Sequence, residues 1–568
     1  MKIHIQASPC RWRCLFTLLI GALLAPSLAA KEKEERTPLP TLKVALVRLP
    51  DADNPSTRLE SHLRAIEEAA QLGARVVVFP EKSLMGEVAA VESSEGIQRI
   101  AETCGKASVH VILGALVEKE GQRLNRAIVI GPSGEMLTEY DAAGSGTDQS
   151  IQPDHRMAIF SVDGVPCSVL IGADIELPEL ARIPALGGAV VLFHLDVTAN
   201  EHNPAREALL RVRALENGVF VVSCGRGASD ALIGPSGDIL ENSVDRSEPG
   251  IVIGTIDPNQ ANTDLLKRSS EHPALAAFWR EGLRVLKTQN RPYFRPQEKV
   301  QPKIRVASVA YVPVKWDKDC NMQRTEEFIR RAARENPDLI VLPEGVLEGY
   351  VIMEVDNAPP EKKAEMEAKF KQLAEPLDGP YIQRYRDLAK ELSVMICFGF
   401  AERRGGEIYN SVALVGKDGE IEGLYSKTHL AQGYGHPDFY KTGKDFPSFE
   451  TEHGRIGMVI CYDRQLPEPA RLVRLAGAQL ILAPSYGSRG EWNDQLIRMR
   501  ARENGVPMVF CHPNQALFVD AQGEVLANVT ATDHVEICDV PLPAKETDRI
   551  TLRRPDLYGG FLEGPLGK

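Results

Sequence analysis

The same phrases occur twice along this chain in the same order, and that repetition restricts the fold more than any other feature. Val76-Val77-Val78-Phe79-Pro80-Glu81 returns as Leu339-Ile340-Val341-Leu342-Pro343-Glu344, an offset of 263 residues. The run 127–135, ending Gly131-Pro132-Ser133-Gly134-Glu135, matches 412–420, ending Gly416-Lys417-Asp418-Gly419-Glu420, at an offset of 285. Arg213-Ala214-Leu215-Glu216-Asn217-Gly218 matches Arg500-Ala501-Arg502-Glu503-Asn504-Gly505 at 287. One order with slowly drifting offsets means a duplicated domain, because a solenoid would repeat every 20–50 residues or so. The jump from 263 to 285 places an insertion in the second copy, after Glu344, at the charged helical stretch 360–373.

Each copy alternates short β-rich runs with amphipathic helical segments. In the second copy, 304–310 predicts a strand, 325–336 a helix with Phe328, Ile329 and Ala332 on one face, and 339–342 a buried strand. Alternation of this kind predicts an α/β fold. The Asp418-Gly419 turn between apolar runs predicts a hairpin, which makes the sheet mixed. The first copy spans 42–256 and the second 304–568. Between them, 257–303 carries Pro273, Pro292, Pro296 and Pro302 and reads as a connector, with enough Leu, Trp and Phe for parts of it to pack.

At the start, Lys2, Arg11 and Arg13 precede the apolar run 15–25, and the small residues Ser27, Ala29 and Ala30 follow. This pattern predicts a signal peptide over 1–29, cleaved on export to the periplasm or beyond. The run is short for a membrane span, so no membrane association is expected once the signal is removed. Lys plus Arg total 66 against 78 Asp plus Glu, a net charge of −12, which argues against a nucleic-acid binder. Eight of the ten cysteines lie beyond the signal, with no CxxC pair and no histidine at zinc spacing, so neither a metal nor another cofactor is expected. Most read as buried free thiols, as Cys397 does inside Val394-Met395-Ile396-Cys397-Phe398.

Three residues of the second copy end apolar runs and differ chemically from their surroundings: Glu344, Lys427 and Cys461. In open α/β sheets, functional groups gather at the carboxyl ends of strands, so the three can converge despite their separation. A thiol attacks only as thiolate and needs a base and a nearby cation. Glu344 suits the base and later the activation of water, and Lys427 suits the oxyanion of a tetrahedral intermediate.

The blocks Leu342-Pro343-Glu344, Tyr425-Ser426-Lys427-Thr428-His429-Leu430 and Cys461-Tyr462-Asp463-Arg464-Gln465-Leu466-Pro467-Glu468 resemble the carbon–nitrogen hydrolase (nitrilase) superfamily. Tyr409-Asn410-Ser411, Arg500 to Asn504 and Arg553-Arg554-Pro555-Asp556-Leu557-Tyr558 extend the likeness over nearly all of 304–560. The resemblance implies two tandem αββα-sandwich domains and a Glu–Lys–Cys triad acting on amides, carbamoyl groups or nitriles. It implies Cys461 as nucleophile, Glu344 as general base and Lys427 as oxyanion stabiliser. Arg464, directly after Asp463, is similar to the carbamoyl-amide branches. The expected partner is a small amide or N-carbamoyl substrate, with Tyr350, Tyr462, Arg464, Tyr486 and Trp492 as binding candidates. Where many members carry a second glutamate, this chain has His436 or Asp438.

The first copy keeps Glu81 but aligns Ala142 with Lys427 and Gly172 with Cys461, and Cys167 lies several residues too early to substitute. It reads as a pseudo-enzyme that packs against or regulates the second copy, the alternative being a ligand-binding vestigial pocket. Relatives commonly dimerise across a helical face, so an intrachain pseudo-dimer is expected, with further oligomerisation open. Rival readings are a non-catalytic binding or scaffold protein, nitrile hydrolysis, and acyl transfer to an amine by the same triad.

Overall fold

The computed structural model describes residues 38–50, 54–84, 95–119, 122–143, 157–197, 203–225, 230–242, 249–262, 303–431 and 439–543. The signal segment, His436, Asp438, the block 553–558 and most of the connector lie outside them.

The repeated Gly-x-x-Gly phrase shows how the copies are built. Gly134 at φ +86° and Gly419 at φ +82° take the left-handed backbone that a tight hairpin requires. Gly131 N–H closes onto the Glu135 carbonyl and Gly416 N–H onto that of Glu420, both at 2.8 Å. In each hairpin the register slips at the same place, between Val129 and Ile130 and between Leu414 and Val415. The duplication therefore extends to individual bulges.

In the first copy the strands are β1 (Leu42–Arg48), β2 (Val76–Val78), β3 (His110–Lys119), β4 (Gln122–Ile130), β5 (Met136–Asp141), β6 (Ile159–Val162), β7 (Val165–Ile171), β8 (Val191–Leu195), β9 (Phe220–Cys224), β10 (Ala231–Ile233), β11 (Ile239–Asn242) and β12 (Gly250–Ile256). The second copy has β13 (Lys303–Ala310), β14 (Leu339–Val341), β15 (Met395–Arg404), β16 (Glu407–Val415), β17 (Ile421–Ser426), β18 (Ser448–Thr451), β19 (Gly454–Met458), β20 (Leu480–Pro484), β21 (Met508–His512), β22 (Gln515–Val519), β23 (Val525–Val529) and β24 (His534–Pro541). Among the described residues these form four six-stranded sheets. The order β12-β1-β2-β3-β4-β5 is repeated as β24-β13-β14-β15-β16-β17, and β6 to β11 is repeated as β18 to β23. The sheets are mixed, with β13, β14 and β15 parallel and β15, β16 and β17 antiparallel.

Apolar side chains set the layers. Val306, Val341, Met395, Met458, Leu482 and Val509 fill the space between the two sheets of the second copy. Phe328, Ile329 and Ala332, the face expected from the spacing, pack with Ile382, Tyr385 and Leu388 on the outside of one sheet. Their helices run Lys318–Ala333 and Pro380–Leu392. Helices Pro467–Leu475 and Glu491–Asn504 cover the other sheet through Ala470, Val473, Ile497 and Ala501. The result is a helix–sheet–sheet–helix sandwich, present twice. The insertion expected after Glu344 is a pair of helices, Ile352–Asp356 and Pro360–Leu373.

The two copies meet along helices Pro178–Leu186 and Pro204–Asn217 of the first and their counterparts in the second. Leu472, Leu475, Leu496 and Met499 join the core of the first copy there. At the centre, Arg213 bonds Glu216 at 2.7 Å and Glu503 at 3.0 Å, while Arg500 bonds Glu503 and Glu216, each at 2.7 Å. Each charge has two counter-charges, which offsets the cost of removing all four from water.

Candidate active site

Glu344 stands just past β14, wholly buried. The backbone behind it passes so closely that a Cβ on Gly399 would come within 2.7 Å of the Glu344 Cα. Its Oε1 accepts from Asn410 Nδ2 at 2.7 Å and Lys427 Nζ at 2.8 Å, and its Oε2 from the Tyr486 N–H at 2.8 Å. Lys427, the residue after β17, is wholly buried too, with its N–H on the Asn410 carbonyl at 2.8 Å. Burial alone would lower the Lys427 ammonium, but the Glu344 carboxylate beside it outweighs that and holds the group above its ordinary value.

Cys461 opens the 3-10 turn Cys461–Gln465 with φ +47° and is 6% exposed. A left-handed non-glycine residue costs on the order of 1–3 kcal/mol and persists only when its surroundings hold it. Asp463 does so. Its Oδ2 accepts from the Ile460 N–H at 2.9 Å and the Tyr425 hydroxyl at 2.8 Å, and its Oδ1 from the His429 N–H at 2.9 Å and Thr428 Oγ1 at 3.1 Å. Asp463 thereby ties the cysteine turn to the lysine segment, with the His429 ring lodged beside it as a hydrogen-bonded neighbour. Gly487 flanks the sulfur, and a Cβ there would lie 3.0 Å from it. Carboxylate, ammonium and thiol thus belong to one buried cluster, a set with the parts for covalent acyl transfer.

Tyr350 and Tyr486 stack on each other with centroids 4.3 Å apart, and Lys315 Nζ lies 4.9 Å from the Tyr486 ring centroid. Tyr462 is partly buried beside Cys461. Arg464 is buried, bonded through Nε to Asn493 Oδ1 and through Nη2 to the Ser488 carbonyl. Trp492 lies at the junction between the copies, beneath the Arg211 guanidinium at 4.3 Å and against Gly237. Glu348 went unnoticed in the sequence. It is buried, accepts the Ala401 N–H at 3.0 Å, and burial pushes its carboxyl up to about 7.

The first copy repeats this scaffold around different atoms. Asn125 donates to Glu81 at 2.9 Å, and the Ala142 N–H bonds the Asn125 carbonyl at 2.8 Å, as Lys427 does with Asn410. Gly172 opens its own 3-10 turn at φ +52°, braced by Asp174, which bonds Tyr140 and the Ile171 N–H. The main chain at residue 197 donates to Asp196 rather than to Glu81, whose Oε1 lies 3.2 Å from Lys82 Nζ, whereas that of Tyr486 donates to Glu344. Glu81 Oε2 turns instead to within 2.6 Å of where a Gly172 Cβ would stand.

The fold is thus a doubled αββα sandwich with such a cluster in one half. The chain belongs to the carbon–nitrogen hydrolase family, whose model matches residues 43–263 and 305–548, one segment per copy. It is 32% identical over 216 residues to a probable nitrilase of Schizosaccharomyces pombe, covering 36% of this chain and 73% of the relative. It is 32% identical over 279 residues to the N-carbamoylputrescine amidase of Arabidopsis thaliana, covering 43% of this chain and 90% of that protein. Among solved structures, a carbon–nitrogen hydrolase from Helicobacter pylori aligns with 46% of this chain and 99% of its own length, at 21% identity and a TM-score of 0.37.

Proposed function

We propose that the second copy hydrolyses a non-peptide carbon–nitrogen bond, of an amide or N-carbamoyl compound, through a thioester on Cys461. Glu344 takes the thiol proton as the sulfur attacks the carbonyl carbon, and Lys427 donates to the oxygen that becomes negative. The C–N bond then breaks, and the leaving nitrogen takes the proton from Glu344. Water next gives a proton to Glu344 and attacks the thioester, and the departing sulfur recovers that proton.

The observation that carries this reading is the buried 2.8 Å pair of Lys427 and Glu344, whose carboxylate is also held by the N–H of Tyr486, next to the Gly487 that flanks the Cys461 sulfur. The relatives' names, a nitrilase and an N-carbamoylputrescine amidase, support a C–N bond as target. The first copy, with alanine and glycine where Lys427 and Cys461 stand, serves as the internal partner that braces the second. A panel of amides, N-carbamoyl compounds and nitriles, assayed for ammonia, tests this. Cys461→Ala is expected to lower kcat/KM by roughly 10³-fold or more; undiminished turnover in that variant overturns the reading.

A further inference from the structure

The stretch 485–493 of the second copy carries several of the contacts that assemble the site. The Tyr486 N–H holds Glu344, and Gly487 flanks the Cys461 sulfur. The Ser488 carbonyl and Asn493 Oδ1 hold Arg464, a member of the turn that Cys461 opens. His512 Nε2 lies 3.0 Å from the carbonyls of both Tyr486 and Gly487. Trp492 belongs to the same stretch, in the first turn of helix Glu491–Asn504, and its ring seats on the first copy. The Arg211 guanidinium carbon stands 4.3 Å from the ring centroid, an attractive placement for a cation over an indole. A Cβ on Gly237 would come within 2.6 Å of the ring, so the hairpin there has no room for a side chain. Arg211 is itself held, with its Nε on the Gly237 carbonyl at 2.9 Å and Glu207 at 3.8 Å.

This seat has no mirror image. At the offset of 287 that relates Arg213 to Arg500, Ala205 stands where Trp492 does, and Arg211 corresponds to Arg498. Arg498 makes the same hairpin bond, from Nε to the Gly523 carbonyl at 2.8 Å, with Glu524 at 3.6 Å. A Cβ on Gly523 would meet Arg498 and Arg502 of its own helix instead of a ring. The charge exchange at the junction, by contrast, runs both ways. Arg500 also bonds the Arg464 and Gln465 carbonyls, and Arg213 the Ile175 and Glu176 carbonyls. That exchange supports both turns alike, whereas the indole seat supports the copy that carries thiol and ammonium.

We infer that Arg211 and the Gly237 hairpin of the first copy position the active site of the second through Trp492. This rests on the reaction proposed above and gives the degenerate copy a defined part in it. Trp492 lies six residues beyond Tyr486 and directly before Asn493. A shift of the indole therefore reaches the N–H that holds Glu344, the glycine beside the sulfur and the side chain that holds Arg464. Misplacing reacting groups by about 1 Å can cost on the order of 10²-fold in rate, even when the change lies far from the chemistry. Trp492 and Arg211 act through the groups they hold and are positioning residues.

The test uses the full-length chain and two readouts. One is kcat and KM for ammonia release; the other is the rate at which iodoacetamide alkylates Cys461, located by mass spectrometry. Trp492→Ala is expected to lower kcat by roughly 10-fold to 10²-fold, to move KM by less than about threefold, and to slow alkylation by about fivefold or more. Trp492→Phe keeps a ring under the guanidinium and should hold kcat within about threefold of wild type. Arg211→Ala should lower kcat by about fivefold or more, whereas Arg498→Ala, which loses the same hairpin bond, should stay within about twofold. Urea unfolding checks that each variant is folded under assay conditions; if Trp492→Ala is not, the Arg211 and Arg498 pair decides. Equal losses from Arg211→Ala and Arg498→Ala, or an unchanged kcat in folded Trp492→Ala, overturn the inference and leave the reaction standing. If the wild type releases no ammonia from any compound, the reaction is overturned and the alkylation rates of the same variants decide the inference.

Discussion

In the first copy Asn125 donates to Glu81, and Tyr140 with Asp174 braces the turn at Gly172. In the second copy Asn410, Tyr425 and Asp463 make the same bonds around Glu344 and Cys461. Even the thiols that join the sheets correspond. Cys224 donates to the Val47 and Val78 carbonyls, and Cys511 to those of Val309 and Val341. What differs is the side chains at two positions, namely Ala142 against Lys427 and Gly172 against Cys461, together with the main-chain bond from Tyr486 to the glutamate. The bracing bonds therefore serve the sandwich itself, since they persist where alanine and glycine stand in place of Lys427 and Cys461.

Matched substitutions break or sharpen this contrast. The largest expected effect is on turnover. Glu344→Gln should lower kcat/KM for ammonia release by roughly 10³-fold or more, whereas Glu81→Gln should stay within about twofold. Comparable losses from both would make the copies functionally equal.

Next is the junction. Arg500→Met leaves Glu216 and Glu503 short of a counter-charge and should cost about 3–5 kcal/mol in urea unfolding.

A smaller effect concerns Glu348, whose folded carboxyl titrates at about 7 against an ordinary 4.5 because of burial. Between those values the folded chain keeps a proton that the unfolded chain has lost. Stability should therefore fall as pH rises through this window, by roughly 3 kcal/mol in total. Glu348→Gln retains an acceptor for the Ala401 N–H and should flatten that slope between pH 5 and 8. An unchanged slope would mean that Glu348 is not its source.

The smallest change is expected for Arg330→Ala, which removes a surface pair with Glu391, at under about 1 kcal/mol.

Much of this was legible in the chain. The repeated phrases located the hairpins, and the spacing of Phe328, Ile329 and Ala332 located a buried helix face, because both are local consequences of periodicity. The mates of Glu344 were partly visible: Asn410 lies in the quoted Tyr409-Asn410-Ser411, and its mirror Asn125 was available from the repeat. The Tyr486 N–H was not, because a main-chain donor 142 residues away leaves no mark in residue type. Arg213 and Arg500 each sit three residues before a glutamate, a spacing that suggests a local pair. Their exchange across the junction depends on how the two copies pack.

The most direct measurement is acid-quenched mass spectrometry of the enzyme during turnover of an amide or N-carbamoyl substrate. The expected result is one acyl adduct per chain, on the peptide containing Cys461, lost in Cys461→Ala together with ammonia release. Ammonia release that continues in Cys461→Ala, or an adduct on another residue, would contradict a reaction centred on that thiol.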